Sequence, residues 1–133
     1  MQKLPFIYIA DSALGGRGVF TSEMIPIGTL IEIAPVIVLP PNDLKLIHEQ
    51  TFLHDYYFVW SDDGEEGALA LGYGSLYNHS YSPNAEYYTN RETMTIDVFA
   101  IRDIDAGEEI TFNYNGMPHD STAVWFDDPN YQR

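Results

Sequence analysis

The stretch "NHSYSPN", from Asn78 to Asn84, places two asparagines, one histidine and one proline close together in an acidic chain that has no cysteine. A polar, turn-forming segment of this kind could be a surface loop, a metal site or a loop that holds a ligand. A lone His79 without a second residue at metal-ligand spacing is ordinarily structural. What "NHSYSPN" does therefore depends on the motifs that accompany it.

The size and composition predict one folded domain. The chain has 133 residues, of which 45% are apolar, which is enough for one hydrophobic core. We therefore expect residues 1–133 to form a single domain. No run of 18 apolar residues is present, so we expect no membrane association. Pro5 interrupts the apolar start "MQKLPFIYIADSA", which favours a first strand over a signal peptide. We therefore expect an intracellular protein, cytoplasmic or in the nucleus of a host, and not a secreted one.

The charge and the missing cysteines exclude several functions. A net charge of −14 argues against direct nucleic-acid binding, which needs a basic surface. The charge is compatible with solubility alone or with a cationic partner, and Ser61–Gly67 and the pair Asp127 and Asp128 are candidate acidic patches. With no cysteine, disulfides, thiol chemistry and Cys-based zinc sites are excluded, and no metal site is expected.

The hydrophobic pattern predicts a mainly β fold. Leu30–Leu39 is a nearly continuous apolar run of strand composition that Pro40 and Pro41 end, and a short helix follows through Gln50. Thr51–Trp60 is rich in aromatic residues and is expected to be extended. Further short strands are expected at Phe6–Ile9, Val19–Phe20, Ala68–Leu71, Glu86–Thr89, Thr93–Ile101 and Ile110–Tyr114.

Three local patterns lack the context that their best-known functions require. "GGRGVF" (Gly15–Phe20) continues as a strand, whereas a dinucleotide-binding loop needs a third glycine and a helix directly after it. His48 and His54 are six residues apart, not the four of a zinc protease helix. The segment around Ser75, "GYGSL", does not match the nucleophile elbow of hydrolases.

The order of the motifs "GGRGVF", "NHSYSPN" and "GEEITFNYN" resembles the SET-domain lysine methyltransferases, particularly the small stand-alone SET proteins of viruses and bacteria. The resemblance covers roughly Leu14–Asn115 and leaves 116–133 as a C-terminal tail. It implies small curved β-sheets with one or two short helices around a C-terminal pseudoknot, in which the segment holding Tyr114 passes beneath a preceding loop. Such threading is rare among folds.

The resemblance also implies a cofactor, S-adenosyl-L-methionine, and a site that holds it. Tyr114 is the expected catalytic residue, with Tyr56 as the second candidate. The residues expected at the cofactor are Gly16, Arg17, Gly18, Asn78, His79, Tyr114 and Trp125. The residues expected to line the channel for the substrate lysine are Tyr56, Tyr77, Tyr87 and Phe112.

Two departures from the family pattern concern how the site is closed. The position after "NHS" that is often cysteine is Tyr81, and the Cys-rich zinc segment of many members is absent. The tail must then close the site, and either Trp125 or Phe126 could stack on the adenine, although Trp125 could equally be a core anchor. The variable segment between Asn42 and Gly67 is short, so the sequence constrains the substrate poorly.

The expected partner is a Lys/Arg-rich protein or peptide, such as a histone-like tail, laid along a strand edge. A homodimer is compatible with the sequence. One alternative is a non-catalytic SET-like acidic module that binds basic peptides, and another is methylation of a non-histone protein or a small cation.

Overall fold

The computed structural model describes residues 2–117, 119–124 and 127. Their mainly β architecture confirms the predicted fold class. The strands are β1 (Ile7–Asp11), β2 (Arg17–Thr21), β3 (Leu30–Leu39), β4 (Tyr57–Val59), β5 (Gly67–Ala70), β6 (Asn78–His79), β7 (Ala85–Asn90), β8 (Thr95–Ala100) and β9 (Glu109–Phe112). The helix α1 spans Pro41–Gln50, and short 3₁₀ turns span Phe52–Asp55 and Gly74–Leu76.

The long apolar strand β3 joins two parts of a five-stranded sheet with the order β4-β5-β3-β8-β7. The first half of β3 pairs with β8 and the second half with β5, both antiparallel. Pro41 then starts α1, because the fixed φ of proline suits the first turn of a helix and needs no hydrogen-bond donor there. No helix in the described ranges is long and apolar enough to cross a membrane.

The second sheet has the order β1-β2-β9-β6 and brings the three sequence motifs together. Strand β9 pairs antiparallel with β2, with Val19 opposite Ile110. On its other side β9 pairs parallel with β6, with Asn78 opposite Thr111. The "GGRG", "NHS" and "ITF" segments are therefore neighbours in one sheet. The pseudoknot stays a prediction, and the β6–β9 pairing is the contact that it requires.

The main hydrophobic core lies beneath this convergence of motifs. Two aromatic residues expected at the active site belong to it, since Tyr77 and Phe112 are each only 1% exposed. The other buried members are Ile7, Val19, Ile25, Ile31, Ala85, Val98, Ala100, Ile104 and Ile110. Because core side chains are close-packed, these two aromatic rings have little freedom to move.

The structure differs from the sequence-based expectation between Thr51 and Trp60. This segment is not extended throughout, because Thr51 uses its hydroxyl to accept the Leu53 N–H at 3.2 Å and caps a 3₁₀ turn before β4 begins. The last strand ends at Phe112, so Tyr114 lies in the turn that follows it. Strand β6 was not expected, because two residues are too few to show an alternating pattern.

Candidate active site

Two cavities meet at Tyr114. The larger has a volume of about 740 Å³ and the smaller about 120 Å³. Four residues line both cavities: Asp55, Tyr56, Ser75 and Tyr114. Both residues expected to be catalytic, Tyr56 and Tyr114, therefore lie between the two cavities. A molecule in one cavity and a side chain in the other would both contact Tyr114.

The smaller cavity is formed by the glycine turn on one side and by Asn78 and Tyr114 on the other. Gly15 and Gly16 have φ values of 124° and 57°, a region of backbone space that favours glycine. A Cβ added to Gly16 would meet nothing within 4 Å, so the turn faces open space there. Arg17 adds a cationic side chain to the same cavity.

Gly18, Asn78 and Glu109 hold the glycine turn against β6 and β9. The Asn78 amide donates to the Arg17 carbonyl at 3.1 Å and to the Glu109 carboxylate at 2.7 Å. The other oxygen of Glu109 accepts the Ser12 hydroxyl at 2.6 Å. A Cβ on Gly18 would overlap the Glu109 carboxylate and approach the Asn78 amide to 2.9 Å. Glycine is therefore required for this close approach.

His79 supports Tyr114 through the backbone. Its Nδ1 accepts the Tyr114 N–H at 3.0 Å, and the two rings pack with centroids 5.2 Å apart. Burial lowers the pKa of His79, and the charge of Asp127 acts in the opposite direction. The lowered pKa favours the neutral imidazole, which is the form that can accept a hydrogen bond through Nδ1.

The hydroxyl of Tyr114 donates to the Tyr77 carbonyl at 2.6 Å. Tyr114 is thus held at its backbone by His79 and at its hydroxyl by Tyr77. A side chain fixed at both ends presents its oxygen at a defined place, which is what positioning of a reactant requires.

The inner part of the larger cavity is aromatic. The Phe112 ring packs among three tyrosine rings, with centroid distances of 4.8 Å to Tyr87, 5.2 Å to Tyr77 and 5.9 Å to Tyr114. Phe58 packs edge-on against Tyr87 with centroids 5.0 Å apart. Burial raises the pKa of Tyr87, whose hydroxyl contacts the Tyr114 carbonyl at 3.4 Å. The expected channel residues thus line one continuous space.

The outer part of the larger cavity is polar and more exposed. It is lined by the end of α1, the first 3₁₀ turn and the outer face of β4. Glu49 supplies a carboxylate here, and the carboxylate of Asp55 lies where this cavity meets the smaller one. The Tyr57 hydroxyl and His48 Nδ1 are 2.9 Å apart, and His54 Nε2 is 3.5 Å from the Asp55 carboxylate. This end of the cavity combines negative charge with hydrogen-bonding groups, a suitable environment for a basic peptide.

The beginning of the tail is attached to the site by three side chains. The Tyr81 hydroxyl lies 2.5 Å from the Asp127 carboxylate, the nearer acceptor of its proton, and 3.1 Å from the Thr122 carbonyl, and it accepts the Val124 N–H at 3.1 Å. Asn113 and Asn115 donate to the carbonyls of Asp120 and Thr122, both at 2.6 Å. Trp125 and Phe126, the two candidates for adenine stacking, lie outside the described residues.

Two residues, one in the channel and one that supports β9, were not among the predicted site residues. Phe58 lines the channel, and the aromatic run "YYFVW" was the signal that could have indicated it. Asn84, which is 2% exposed, binds β9 by accepting the Thr111 N–H at 2.9 Å and donating to the Glu109 carbonyl at 2.8 Å. No group of three metal-binding side chains occurs within residues 2–117, 119–124 and 127.

The smaller cavity fits part of S-adenosyl-L-methionine in its chemistry. Arg17 can pair with a carboxylate, and the open glycine turn lets the backbone approach a ligand closely. Its volume of about 120 Å³ is below the roughly 300 Å³ at which ligand pockets usually begin, so the described residues supply only part of a nucleoside-sized site.

Comparison with known proteins identifies the family. The SET-domain family matches residues 16–115. A histone-lysine N-methyltransferase of Schizosaccharomyces pombe, described as H3 lysine-37 specific, is 36% identical over 120 residues, which are 90% of this chain and 76% of that protein. An H3 lysine-36 specific histone-lysine N-methyltransferase of Cryptococcus neoformans is 31% identical over 86% of this chain, which spans only 15% of that protein.

Solved structures agree with this result. The crystal structure of a candidate histone methyltransferase of Plasmodium falciparum is 36% identical, with a TM-score of 0.59 over 81% of this chain and 96% of that chain. A chain of a humanized mutant of the Chaetomium thermophilum Polycomb Repressive Complex 2 is similar in fold alone, with 20% identity and a TM-score of 0.71 over 89% of this chain and 16% of that chain. The matched motifs, the sheet that joins them and these relatives lead to one conclusion: the chain belongs to the SET-domain family.

Proposed function

We propose that this protein is a protein-lysine N-methyltransferase that uses S-adenosyl-L-methionine. The main support is Tyr114, which lies where a cavity with a glycine turn meets a cavity with an aromatic lining. Methyl transfer to an amine requires a donor and an acceptor to meet end to end, and two cavities that share one tyrosine suit this need. The relatives named histone-lysine N-methyltransferase give independent support.

The glycine turn and β6 would hold the cofactor. Arg17 would pair with its carboxylate, while the backbone of Gly16 and the side chain of Asn78 would surround the rest. His79 lines neither cavity and would act on the site by holding the Tyr114 backbone. When bound, S-adenosyl-L-methionine supplies a methyl group on a sulfonium, and no metal is needed for its transfer. The tail, 116–133, would close this site in the single domain that we propose for residues 1–133, with Trp125 or Phe126 on the adenine.

The aromatic channel would prepare the lysine amine. With a reference pKa of about 10.4, lysine is almost fully protonated at pH 7, and exposing its lone pair costs about 4 to 5 kcal/mol. An apolar channel lowers the pKa of the amine because it disfavours the charged form. Tyr56, Tyr87, Phe112 and Phe58 would provide that channel, and their ring faces tolerate a methylammonium product.

Tyr114 would orient the amine rather than take its proton. Its hydroxyl donates to the Tyr77 carbonyl, so its oxygen can accept an N–H from the amine and direct the nitrogen lone pair toward the methyl group. Weak C–H···O contacts from the methyl group to this oxygen and to nearby carbonyls would add to the alignment. A phenol with a reference pKa of about 10 is a poor base at pH 7, so the proton leaves to water.

The substrate that we propose is a lysine in a basic, histone-like tail. The net charge of −14, the Glu49 carboxylate at the outer end of the larger cavity and the Asp55 carboxylate where it meets the smaller one favour a Lys/Arg-rich chain. The relatives described as specific for H3 lysine-37 and H3 lysine-36 make that region of H3 the first substrate to test. A histone substrate implies an intracellular, nuclear place of action. The homodimer stays a prediction that light scattering would test.

A methyl-transfer assay with labelled cofactor would test this function. Recombinant histones and H3 peptides spanning the region of lysine 36 and lysine 37 would be the substrates, with products identified by mass spectrometry. We expect methyl-lysine in wild type and a loss of about 100-fold or more in kcat for Tyr114→Phe, a size typical of losing a positioning group.

Calorimetry with the cofactor, before and after chelator treatment, provides the control. Wild type and Tyr114→Phe should bind the cofactor equally, with or without chelator. Binding of basic peptides without cofactor binding or methyl transfer would instead support the non-catalytic acidic module.

A further inference from the structure

Glu32 is a buried carboxylate that neither cavity uses. It lies in β3, is 2% exposed, and lines neither the larger nor the smaller cavity. One carboxylate oxygen accepts the Tyr77 hydroxyl at 2.7 Å and the other accepts the Tyr73 N–H at 2.9 Å. Burial raises the pKa of Glu32, while these two hydrogen bonds and the charge of Lys3 act to lower it.

The backbone is shaped to accept this carboxylate. Gly72 has a φ of 61°, and a Cβ on it would lie 2.5 Å from the nearer Glu32 oxygen. Only glycine therefore lets the chain approach closely enough for the Tyr73 N–H to reach Glu32. Burying a carboxylate costs several kcal/mol, and an apolar pair of similar volume is often at least as stable. Stability alone therefore does not explain a glutamate at this position.

Glu32 is connected to the proposed catalytic residue through Tyr77. The Tyr77 side chain is held by Glu32 at its hydroxyl and by Phe112 at its ring. The carbonyl of the same residue accepts the Tyr114 hydroxyl at 2.6 Å. A shift of the Tyr77 side chain would move this carbonyl and so redirect the Tyr114 hydroxyl.

We propose that Glu32 is a positioning residue for methyl transfer, acting by holding Tyr77 and, through its carbonyl, the hydroxyl of Tyr114. This inference rests on the proposed function. It assigns to β3, which contributes no residue to either cavity, a role in the rate of the reaction and not in the binding of cofactor or peptide.

The first variant to test is Glu32→Gln, which keeps the size but offers only one acceptor oxygen for two donors. We expect kcat to fall about 10-fold, because small displacements of a positioned group cost large factors in rate. The peptide KM and the cofactor Kd should change less than about two-fold, since Glu32 contacts neither site.

Tyr77→Phe provides a second variant that keeps the ring and the carbonyl, and it tests the proposal if Glu32→Gln does not fold. It should lower kcat by a similar factor. In the double variant the two losses should not multiply, because both remove the same contact.

Thr21→Val is the matched control. Thr21 is fully buried, and its hydroxyl donates to the Glu23 carbonyl at 2.6 Å. Among the described residues, no hydrogen bond joins Thr21 to Tyr77 or to Tyr114. This variant should lose stability and keep kcat. The proposal is overturned if Glu32→Gln and Tyr77→Phe keep wild-type kcat, or if they lose no more than Thr21→Val.

A spectroscopic measurement separates failure of this inference from failure of the proposed function. In protein that contains 3-fluorotyrosine, the ¹⁹F signal of Tyr114 is identified by its absence in Tyr114→Phe. We expect Glu32→Gln to shift this signal and Thr21→Val to leave it in place. If wild type transfers no methyl group, the proposed function fails. If the ¹⁹F signal of Tyr114 does not shift in Glu32→Gln, the connection from Glu32 through Tyr77 to Tyr114 is overturned, whatever the activity.

Discussion

The inner and outer walls of the larger cavity are built from different parts of the protein. The inner wall contains Tyr77 and Phe112, which are 1% exposed and belong to the main core. The outer wall comes from α1, the first 3₁₀ turn and the face of β4 opposite Phe58, where Val59 is 60% exposed. We infer that the geometry of the reaction is held by the core, whereas the substrate is met by a surface. Inner-wall variants should therefore change kcat and product, and outer-wall variants should change KM.

The largest effect is expected where the glycine turn packs against β6 and against β9, the strand that carries Phe112 of the inner wall. Gly18→Ala places a Cβ against Glu109 and Asn78, so overpacking should cost about 1 to 3 kcal/mol of stability. The same displacement should weaken the cofactor at least 10-fold, as measured by calorimetry, because a factor of 10 corresponds to only about 1.4 kcal/mol.

Gly28→Ala is the control for this prediction. Gly28 has a φ of 84° and its added Cβ would meet nothing within 4 Å. It should lose about 1 to 2 kcal/mol through backbone strain and keep its cofactor affinity. Equal loss of affinity in both variants would mean that the contact among Gly18, Asn78 and Glu109 is not what supports the site.

The next effect concerns the number of methyl groups added. The rings of Tyr77 and Tyr87 pack against Phe112, so a hydroxyl in Phe112→Tyr should enter the channel end. It would occupy space that a methylated amine needs when it rotates to present its lone pair again. We expect wild type to add more than one methyl group and Phe112→Tyr to slow the second transfer several-fold, about 1 kcal/mol.

Tyr87→Phe tests whether the neighbouring hydroxyl imposes the same limit. The product distribution on one peptide at saturating cofactor, followed by mass spectrometry, compares the three proteins. Strict monomethylation by wild type that persists in Tyr87→Phe would show that neither ring sets the room at the end of the channel.

A smaller effect is expected at the outer wall. Glu49→Gln should raise the peptide KM about two- to five-fold without changing kcat, because exposed charge pairs contribute about 0.2 to 1 kcal/mol. It should also reduce the fall of kcat/KM with salt, since exposed charges are screened beyond about 8 Å at physiological ionic strength. Glu65 lies in the acidic segment Ser61–Gly67 and does not line the cavity, so Glu65→Gln should change the peptide KM and the salt dependence of kcat/KM less. A kcat/KM of wild type that does not respond to salt would assign the negative charge to solubility alone.

The smallest effect is a pH dependence of stability at Glu32. Burial holds its pKa above the ordinary value of 4.5, so the native state binds this proton more tightly than the unfolded chain does. The stability gained from the bound proton is complete below pH 4.5 and is lost as the pH rises through the native pKa. The unfolding free energy of wild type, minus that of Glu32→Gln, should therefore increase as pH is lowered from about 7 toward about 4.5 in denaturant titrations. A difference that stays constant over this range would contradict the raised pKa.

Much of the fold could be predicted from local pattern. Strand β3 has the predicted bounds, Leu30–Leu39, because a continuous apolar run that ends at two prolines strongly favours a buried strand. Its Glu32, in contrast, gave no signal in the sequence, because its partners Tyr77 and Tyr73 are brought to it only by the tertiary fold. Strand β6 was missed for the same reason, since its partner β9 supplies the pairing.

The candidate site could be predicted only as far as the motifs extended. Asn78, His79 and Tyr114 stand in motifs of recognisable order, and the structure brings them together. The role of Phe58 depends on which side of β4 faces the cavity, and the role of Asn84 depends on its contact with β9. The composition of an aromatic-rich or polar segment does not determine either orientation. The outer wall was obscured because Thr51 starts a 3₁₀ turn within a segment that favours strands by composition.

The central place of β9 in its sheet has a consequence for the order of folding. The contact between Ser12 and Glu109 closes a separation of 97 residues, and that between Tyr77 and Tyr114 closes 37. Contacts between distant parts of a chain form slowly, because the loop entropy is lost before the contact is gained. During synthesis, a chain that has not yet released β9 and the turn after it from the ribosome lacks Phe112 of the larger cavity and Tyr114, which lines both cavities. Cofactor binding should therefore begin only after β9 has joined β2 and β6, so the cofactor would recognise the completed sheet and stabilise it against unfolding.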